Sequence, residues 1–406
     1  KMTTTSGGNL SIRDDAGDVF ITPARFVKGS LTRDDIVRIR AEGHTEGRHK
    51  PSSEHPFHQA IYAARPDLRA VGHAHPVALV AFSICRRTPD TSLFPQAAHV
   101  CGRVGYAPYQ LPGSEALGRA IAEAFAKGFN CVMLENHGVV IGGADLAQAF
   151  QRFETLEFTA KTIIKASQLA KVRYLSQEQL ALAERPRPAP PEAEPGPATT
   201  LEKELRRSLC DFIHRGYRQR LLTSTGGSFS ARLDANSFLI SSYGVDRQTI
   251  SPEQLTLIHS WRREPGRTPS RAVQIHWHLY RDYPAIQAIV NATPVNATAF
   301  SVTREGLDAR TIPESFLFLG NVPTVPFAAQ FGDGNAIAAI VSPNQPVALM
   351  ENNGALILGK SILDAFDRLE VLESTAEALI NSRPLGPLCP MTDLQIDELK
   401  TAFGML

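Results

Sequence analysis

The sequence predicts an α/β protein built from two tandem copies of one domain. Three observations carry this: a long internal repeat, a proline-rich break between the copies, and short apolar strands alternating with amphipathic helices within each copy. Residues 268–301 align on residues 50–83 without a gap, matching Pro51 to Pro269, Ser52 to Ser270, His58 to His276, Tyr62 to Tyr280, Pro66 to Pro284 and Pro76 to Pro294. Upstream, Gly7-Gly8-Asn9-Leu10-Ser11 matches Gly226-Gly227-Ser228-Phe229-Ser230. Downstream, Glu135-Asn136-His137-Gly138 matches Glu351-Asn352-Asn353-Gly354. Chance does not keep that register over so many separated positions, so the chain is a tandem duplication.

The copies occupy residues 1–185 and 201–388, with a linker over 186–200 and a C-terminal tail over 389–406. Arg185-Pro186-Arg187-Pro188-Ala189-Pro190-Pro191 opens the linker. So many prolines exclude helix and ladder strand and predict a semi-extended connection. The second copy begins with an amphipathic helix over about Leu201–Arg220 that has no counterpart before Lys1, so an N-terminal helix of the native protein is expected to be missing. In the first copy, strands are expected at Val19-Phe20-Ile21, Val132-Met133-Leu134 and Val139-Val140-Ile141. Helices are expected at about Glu54–Ala64, Ser114–Lys127 and Ala144–Ala170. Ser53 is the expected N-cap of the first of these, and Pro76 suits position N1 of the helix running through Val80.

Composition excludes several classes. The formal charge is +1, and no basic run or basic-aromatic stretch marks a nucleic-acid surface. No apolar stretch reaches the roughly 20 residues of a membrane span. The five cysteines, Cys85, Cys101, Cys131, Cys210 and Cys389, are odd in number and form no C-x-x-C pair. That argues against a disulfide framework and for a reducing, cytoplasmic setting without a visible signal peptide.

His73-Ala74-His75 is the strongest chemical signal. Histidines at i and i+2 project from one side of an extended strand. His137, in a glycine turn between two apolar strands, supplies a third nitrogen, which leaves a coordination position open for substrate or water. Glu54, in the first turn of a helix, is the candidate acid/base, able to move a proton alpha to a carbonyl while a metal stabilises the enediolate. Taken alone, Glu54 equally suits the helix dipole. The second copy reads Asn291, Thr293, Asn353 and Ala272 at these four positions. Their joint loss is better explained if the four once formed one site. Asn9, Ser52 and Ser53 are candidate contacts to a substrate anion, through small polar groups and backbone N–H groups at a glycine turn and a helix start. Turn and capping chemistry accounts for them equally well.

Gly8-Asn9-Leu10-Ser11, Thr22-Pro23, Pro51-Ser52-Ser53-Glu54, His73-Ala74-His75 and Glu135-Asn136-His137-Gly138 together resemble the class II aldolase/adducin superfamily. The resemblance covers nearly all of residues 3–175 and, in degenerate form, 220–385. It implies two α/β/α sandwich domains, each around a mostly antiparallel sheet. It implies a divalent metal, usually zinc, with manganese, cobalt or iron as alternatives, on His73, His75 and His137. It also implies Glu54 as acid/base, and Asn9, Thr22, Ser52 and Ser53 near a substrate phosphate.

Two departures matter. The family's Thr-Pro-Ser/Thr-Gly loop reads Thr22-Pro23-Ala24-Arg25 here, so a guanidinium able to grip a carboxylate or phosphate replaces a glycine. The tyrosine that serves as proton donor in the family's aldolases is replaced by Leu93-Phe94-Pro95-Gln96. The expected function is a metal-dependent lyase of aldolase or decarboxylase type, acting on a small sugar phosphate or sugar acid through a metal-stabilised enediolate. An epimerase, a dehydratase, and an adducin-like scaffold are the alternatives, with an oxygenase ranked below them. The expected assembly is a homodimer forming a pseudo-tetramer of domains, in which the region of Glu314-Ser315-Phe316 approaches the metal.

Overall fold

The computed structural model describes residues 3–332 and 334–404. The chain divides into two compact units, Lys1–Lys161 and Thr162–Leu406. In the first unit, eight strands form one sheet: β1 (Asn9–Arg13), β2 (Val19–Ile21), β3 (Val37–Ile39), β4 (Thr45–Glu46), β5 (Ala70–Ala74), β6 (Val104–Ala107), β7 (Cys131–Leu134) and β8 (Gly138–Gly143). Their order is β4-β3-β2-β1-β5-β8-β7-β6. Every pairing is antiparallel except β6 with β7. The helices are α1 (His55–Ala64), α2 (Val77–Ile84), α3 (Pro95–Cys101), α4 (Glu115–Ala126) and α5 (Leu146–Leu169), the last running past the end of the unit.

The second unit repeats the plan. It contains α6 (Gln177–Glu184), α7 (Thr200–Arg218), β9 (Ser228–Arg232), β10 (Ser237–Ser241), β11 (Leu255–His259), β12 (Arg262–Arg263), α8 (Val273–Asp282), β13 (Ala288–Ala292), α9 (Val295–Ser301), α10 (Pro313–Leu319), β14 (Thr324–Val325), α11 (Asn335–Ala338), β15 (Val347–Met350), β16 (Gly354–Gly359) and α12 (Ile362–Ser382). Its sheet runs β12-β11-β10-β9-β13-β16-β15-β14, again with one parallel pair, β14 with β15. A last helix, α13 (Asp393–Ala402), lies where the sequence suggested a tail. The linker is extended, as its prolines require, yet it also pairs locally: Ala193 N donates to Arg263 O, and Arg263 N donates to Pro191 O. A proline carbonyl still accepts although its nitrogen cannot donate.

In each unit one sheet face is closed by apolar side chains. Phe57, Ile61, Leu117, Ile121 and Phe125 of α1 and α4 pack on Val19, Ile21, Val71, Val132 and Val140. The other face of β5 and β8 is also buried, so those strands read as nearly continuous apolar runs. On β1 the two faces differ. Asn9 and Ser11 are buried beneath α1, while Leu10 and Ile12 on the opposite face are 51% and 39% exposed. Their counterparts Phe229 and Ala231 are buried on the face of β9 that α7 covers.

Two sequence expectations fail in detail. The N-cap of α1 is Glu54, not Ser53, and no side chain caps the helix. Pro76 is the N-cap of α2, one position before N1, because its extended backbone (ψ 141°) is not yet helical.

The polar stripe joining α1 to β1 fixes the helix on the sheet. Glu54, His58 and Tyr62 recur every four residues along α1, while Asn9, Ser11 and Arg13 recur every two along β1. Four helical residues advance about 6 Å and two strand residues about 7 Å, so the stripes stay in step. Ser11 Oγ lies 2.7 Å from His58 Nδ1 and 2.8 Å from Tyr62 Oη. Arg13 donates to the Tyr62 carbonyl and lies over its ring. The second unit repeats this with Ser230, His276, Tyr280 and Arg232, at the same 2.7 and 2.8 Å.

Burial pushes the His58 imidazole down to about 3 and the His276 imidazole to about 4. An unfolded histidine binds its proton near pH 6.5. Between pH 6.5 and those lower values the unfolded chain therefore holds protons that the native chain lacks, and stability falls as pH falls. At pH 5 each buried ring is expected to cost about 2 kcal/mol relative to neutral pH. Denaturant midpoints at pH 7 and pH 5 measure this, and His58→Phe or His276→Phe should each shrink the difference.

Candidate active site

The first unit brings His73, His75 and His137 together at the rim of its sheet. The three rings contribute nitrogens that all lie within 4.8 Å of one another. Ring centroids are 4.7–4.9 Å apart. His73 sits in β5 and is fully buried, while His75 follows the strand end and is half-buried. His137 stands in the turn between β7 and β8. Asn136 takes the left-handed conformation there, φ 54°, as Asn352 does in the second unit at φ 51°. The His137 N–H donates to Ser83 Oγ of α2 at 3.1 Å, tying the turn to the helix that follows His75. Gly138 is required at the next position, because a Cβ there would lie 2.6 Å from the Ala74 carbonyl oxygen and 2.7 Å from His75 Cδ2.

The donor set fits a divalent metal. His73 Nδ1 lies 3.0 Å from the Val139 carbonyl, which only accepts, so the proton sits on Nδ1. That leaves the Nε2 lone pair turned inward, 2.9 Å from His75 Nε2. A carbonyl that fixes the tautomer and aims the free nitrogen is the usual support of a metal-ligating histidine. Burial, followed by the neighbouring His137 and His75 rings, holds His73 well below the usual imidazole range. Burial likewise lowers His75 and His137, with the Glu54 carboxylate partly opposing it at His137. Neutral rings are the ligating form.

Glu54 joins this group. One carboxylate oxygen lies 3.4 Å from His73 Nε2 and the other 3.6 Å from His137 Nε2. Asn9 Nδ2 donates to Glu54 Oε2 at 2.7 Å, and Asn9 Oδ1 accepts from His58 Nε2. The carboxylate is thus turned toward the histidines and not spent on capping its own helix.

The proposed anion-contact residues divide. Ser52 is buried, accepts from Glu54 N at 3.3 Å, and donates its backbone N–H to Thr22 O. The Thr22 hydroxyl accepts from Leu10 N at 3.2 Å, and Pro23 bridges Pro51. The two loops therefore form one shelf beside Glu54. Ser53 and Arg25 are exposed on the loops of that shelf. Arg25 adopts φ 54°, a conformation glycine takes without penalty, and the matching residue in the second unit is Gly244 at φ 72°. Sequence reasoning missed His58, Ser11 and Tyr62 as parts of the site. Their signal was retention in both copies.

At the second unit's corresponding positions, Asn291 Oδ1 accepts from His276 and Asn353 Nδ2 donates to Gln330 Oε1 at 3.0 Å. The imidazole set is absent there. Among the described residues, the only grouping of three or more histidine, cysteine or acidic side chains suited to a metal is the one in the first unit. All five cysteines are free thiols, and no helix of the described residues is long and apolar enough to cross a membrane.

Fold and site together define a duplicated α/β protein with one three-histidine centre. The chain belongs to the Class II Aldolase and Adducin N-terminal domain family, whose model matches residues 1–164 and again 207–380. It is 34% identical over 182 residues to a 3-oxo-tetronate 4-phosphate decarboxylase of Haemophilus influenzae, covering 44% of this chain and 86% of that protein. It is 33% identical over 162 residues to an L-fuculose phosphate aldolase of Methanocaldococcus jannaschii, covering 40% of this chain and 86% of the relative. Among solved structures, YgbL of Escherichia coli, described as a putative aldolase/epimerase/decarboxylase, matches at 31% identity with a TM-score of 0.42, covering 44% of this chain and 88% of YgbL. The first two relatives are by name a decarboxylase and an aldolase, both carbon–carbon lyases, which supports a carbon–carbon lyase of the class II aldolase type for this chain.

Proposed function

We propose that residues 1–185 form a metal-dependent lyase domain acting on a small sugar acid or its phosphate, with decarboxylation of a 3-oxo acid as the leading reaction. The observation that carries the reading is the Glu54 carboxylate, held by Asn9 and turned toward the histidine cluster instead of capping α1. A divalent cation on His73, His75 and His137, zinc first with manganese, cobalt or iron as alternatives, would supply a Lewis acid for the developing enediolate oxygen. The chain's own groups do the rest. The shelf of Thr22, Ser52 and Ser53, with Arg25 at its edge, receives the phosphate or a carboxylate. In decarboxylation, the bond between the carboxylate carbon and the carbon alpha to the ketone breaks. Its electron pair passes into the carbonyl, carbon dioxide leaves, and Glu54 relays a proton from solvent to the carbon that carried the carboxylate, which completes the ketone product.

Decarboxylation is favoured over aldol cleavage by Phe94. It is buried at 4% exposure and stacks on Phe158 at 5.4 Å, so the segment where the family's aldolases carry a proton-donating tyrosine is core here. The second unit is read as the non-catalytic, adducin-like copy over residues 201–388, within a homodimer in the cytoplasm. Light scattering tests the dimer.

The function is tested by elemental analysis of the purified chain together with NMR product analysis on 3-oxo sugar acids, their phosphates and aldol substrates. One equivalent of metal per chain and release of carbon dioxide are expected. Metal-free protein that turns over none of these compounds would refute the reading, and a rearranged product of unchanged carbon count would replace it with epimerase chemistry.

A further inference from the structure

We propose that His58, a buried residue of α1 outside the metal cluster, is a positioning residue that sets the orientation of Asn9 and, through it, of Glu54; this rests on the lyase reading above.

The hydrogen bonds of the stripe can be directed one at a time. A carboxylate only accepts, so the Asn9 end facing Glu54 is its Nδ2, at 2.7 Å. Asn9 Oδ1 must then face His58, and the 2.5 Å contact to Nε2 puts the proton of the imidazole on Nε2. His58 Nδ1 is therefore the acceptor of the Ser11 hydroxyl at 2.7 Å, and the Ser11 oxygen accepts from Tyr62 Oη at 2.8 Å. The chain of donors runs Tyr62 to Ser11 to His58 to Asn9 to Glu54 without a break or a choice. Every member before Glu54 is buried. If Asn9 flipped, its oxygen would face the Glu54 carboxylate and its amino group would face the His58 N–H. Both contacts are repulsive, so His58 locks the amide from the side opposite the site.

The second unit separates this role from a merely structural one. Asn9 lies opposite His73 across β1 and β5, and Ser228 lies opposite Asn291 across β9 and β13. The asparagine has moved to the facing strand, into the place of the lost metal ligand, and there accepts from His276 Nε2 at 2.7 Å. The Ser–His–Tyr core is otherwise unchanged, while the Glu54 position is Ala272. Both histidines bind helix to sheet. Only His58 ends its chain on a carboxylate.

The test compares His58→Phe with His276→Phe in the intact chain, reading metal content, denaturant midpoint, kcat and KM. Both variants should lose comparable stability and keep the metal. His58→Phe should lower kcat about 10–100-fold with little change in KM, the range typical of groups that orient a site from behind it, whereas His276→Phe should leave kcat unchanged. His58→Gln, whose amide can accept from Ser11 and donate to Asn9, should recover most of the loss. Equal kcat in wild type and His58→Phe, or equal losses in both phenylalanine variants, would overturn the proposal. Long-range 15N NMR of His58 tests the geometry without any substrate: protonation at Nε2 is expected, and protonation at Nδ1 alone defeats the proposal even if the lyase reading fails separately.

Discussion

His73→Ala is expected to lose bound metal and turnover together while the chain still folds. His73 is the buried member of the three histidines, with its Nδ1 proton fixed on Val139 O and its ring edge-on to Phe57 at 5.6 Å. Removing it takes away a nitrogen whose direction is set by the protein interior, and His75 and His137, both partly exposed, are left as a two-nitrogen set. Changing the groups that hydrogen-bond a metal's ligands costs about 10–100-fold in affinity, and loss of a ligand itself should exceed that. The vacated ring volume costs about 2–4 kcal/mol, by analogy with other large-to-small replacements in a core. Elemental analysis, turnover and a denaturation midpoint on one preparation separate these effects. Asn291→Ala, the same position in the second unit, should destabilise without changing metal content. Stoichiometric metal in His73→Ala would mean that the three rings are not the ligand set.

The residues that make this prediction were largely legible in the sequence, for a specific reason. A duplicated chain carries its own comparison, and the loss of His73, His75, His137 and Glu54 from one copy grouped residues that lie far apart in the chain. The sheet was legible too, since Val19–Ile21, Val132–Leu134 and Val139–Ile141 all fall within observed strands. What escaped was every relation set by non-local hydrogen bonding. Ser11 and His58 are 47 residues apart, and nothing in their local context says that they touch. The same limit misassigned the cap of α1. A serine before Glu54 fits the capping pattern, but Ser53 is exposed and Ser52, one residue earlier, takes the Glu54 N–H. The residue type of Asn9 suggests an anion contact, whereas its amide oxygen and amino group both bond within the protein. The replacement of glycine by Arg25 was visible as a departure, whereas its left-handed backbone was not.

Glu54→Gln is expected to keep the metal and lose turnover by about 10²–10⁴-fold, the usual contribution of a positioned general acid or base. The substitution preserves shape. Its amide oxygen can still accept from Asn9 Nδ2, so the side chain should stay where the carboxylate is now, beside His73 and His137. What disappears is the ability to take up and return a proton. The competing view, in which Glu54 only complements the dipole of α1, makes a different forecast: about 0.3–1 kcal/mol of stability and no change in rate. Glu54 makes no side-chain cap on α1, which already weighs against that view. Metal content and kcat of Glu54→Gln decide between them. Wild-type turnover in this variant would remove Glu54 from the chemistry and leave proton transfer to water or to the substrate's own hydroxyls. Lost metal would instead place the carboxylate among the ligands, because an amide is a far poorer donor to a divalent cation than a carboxylate.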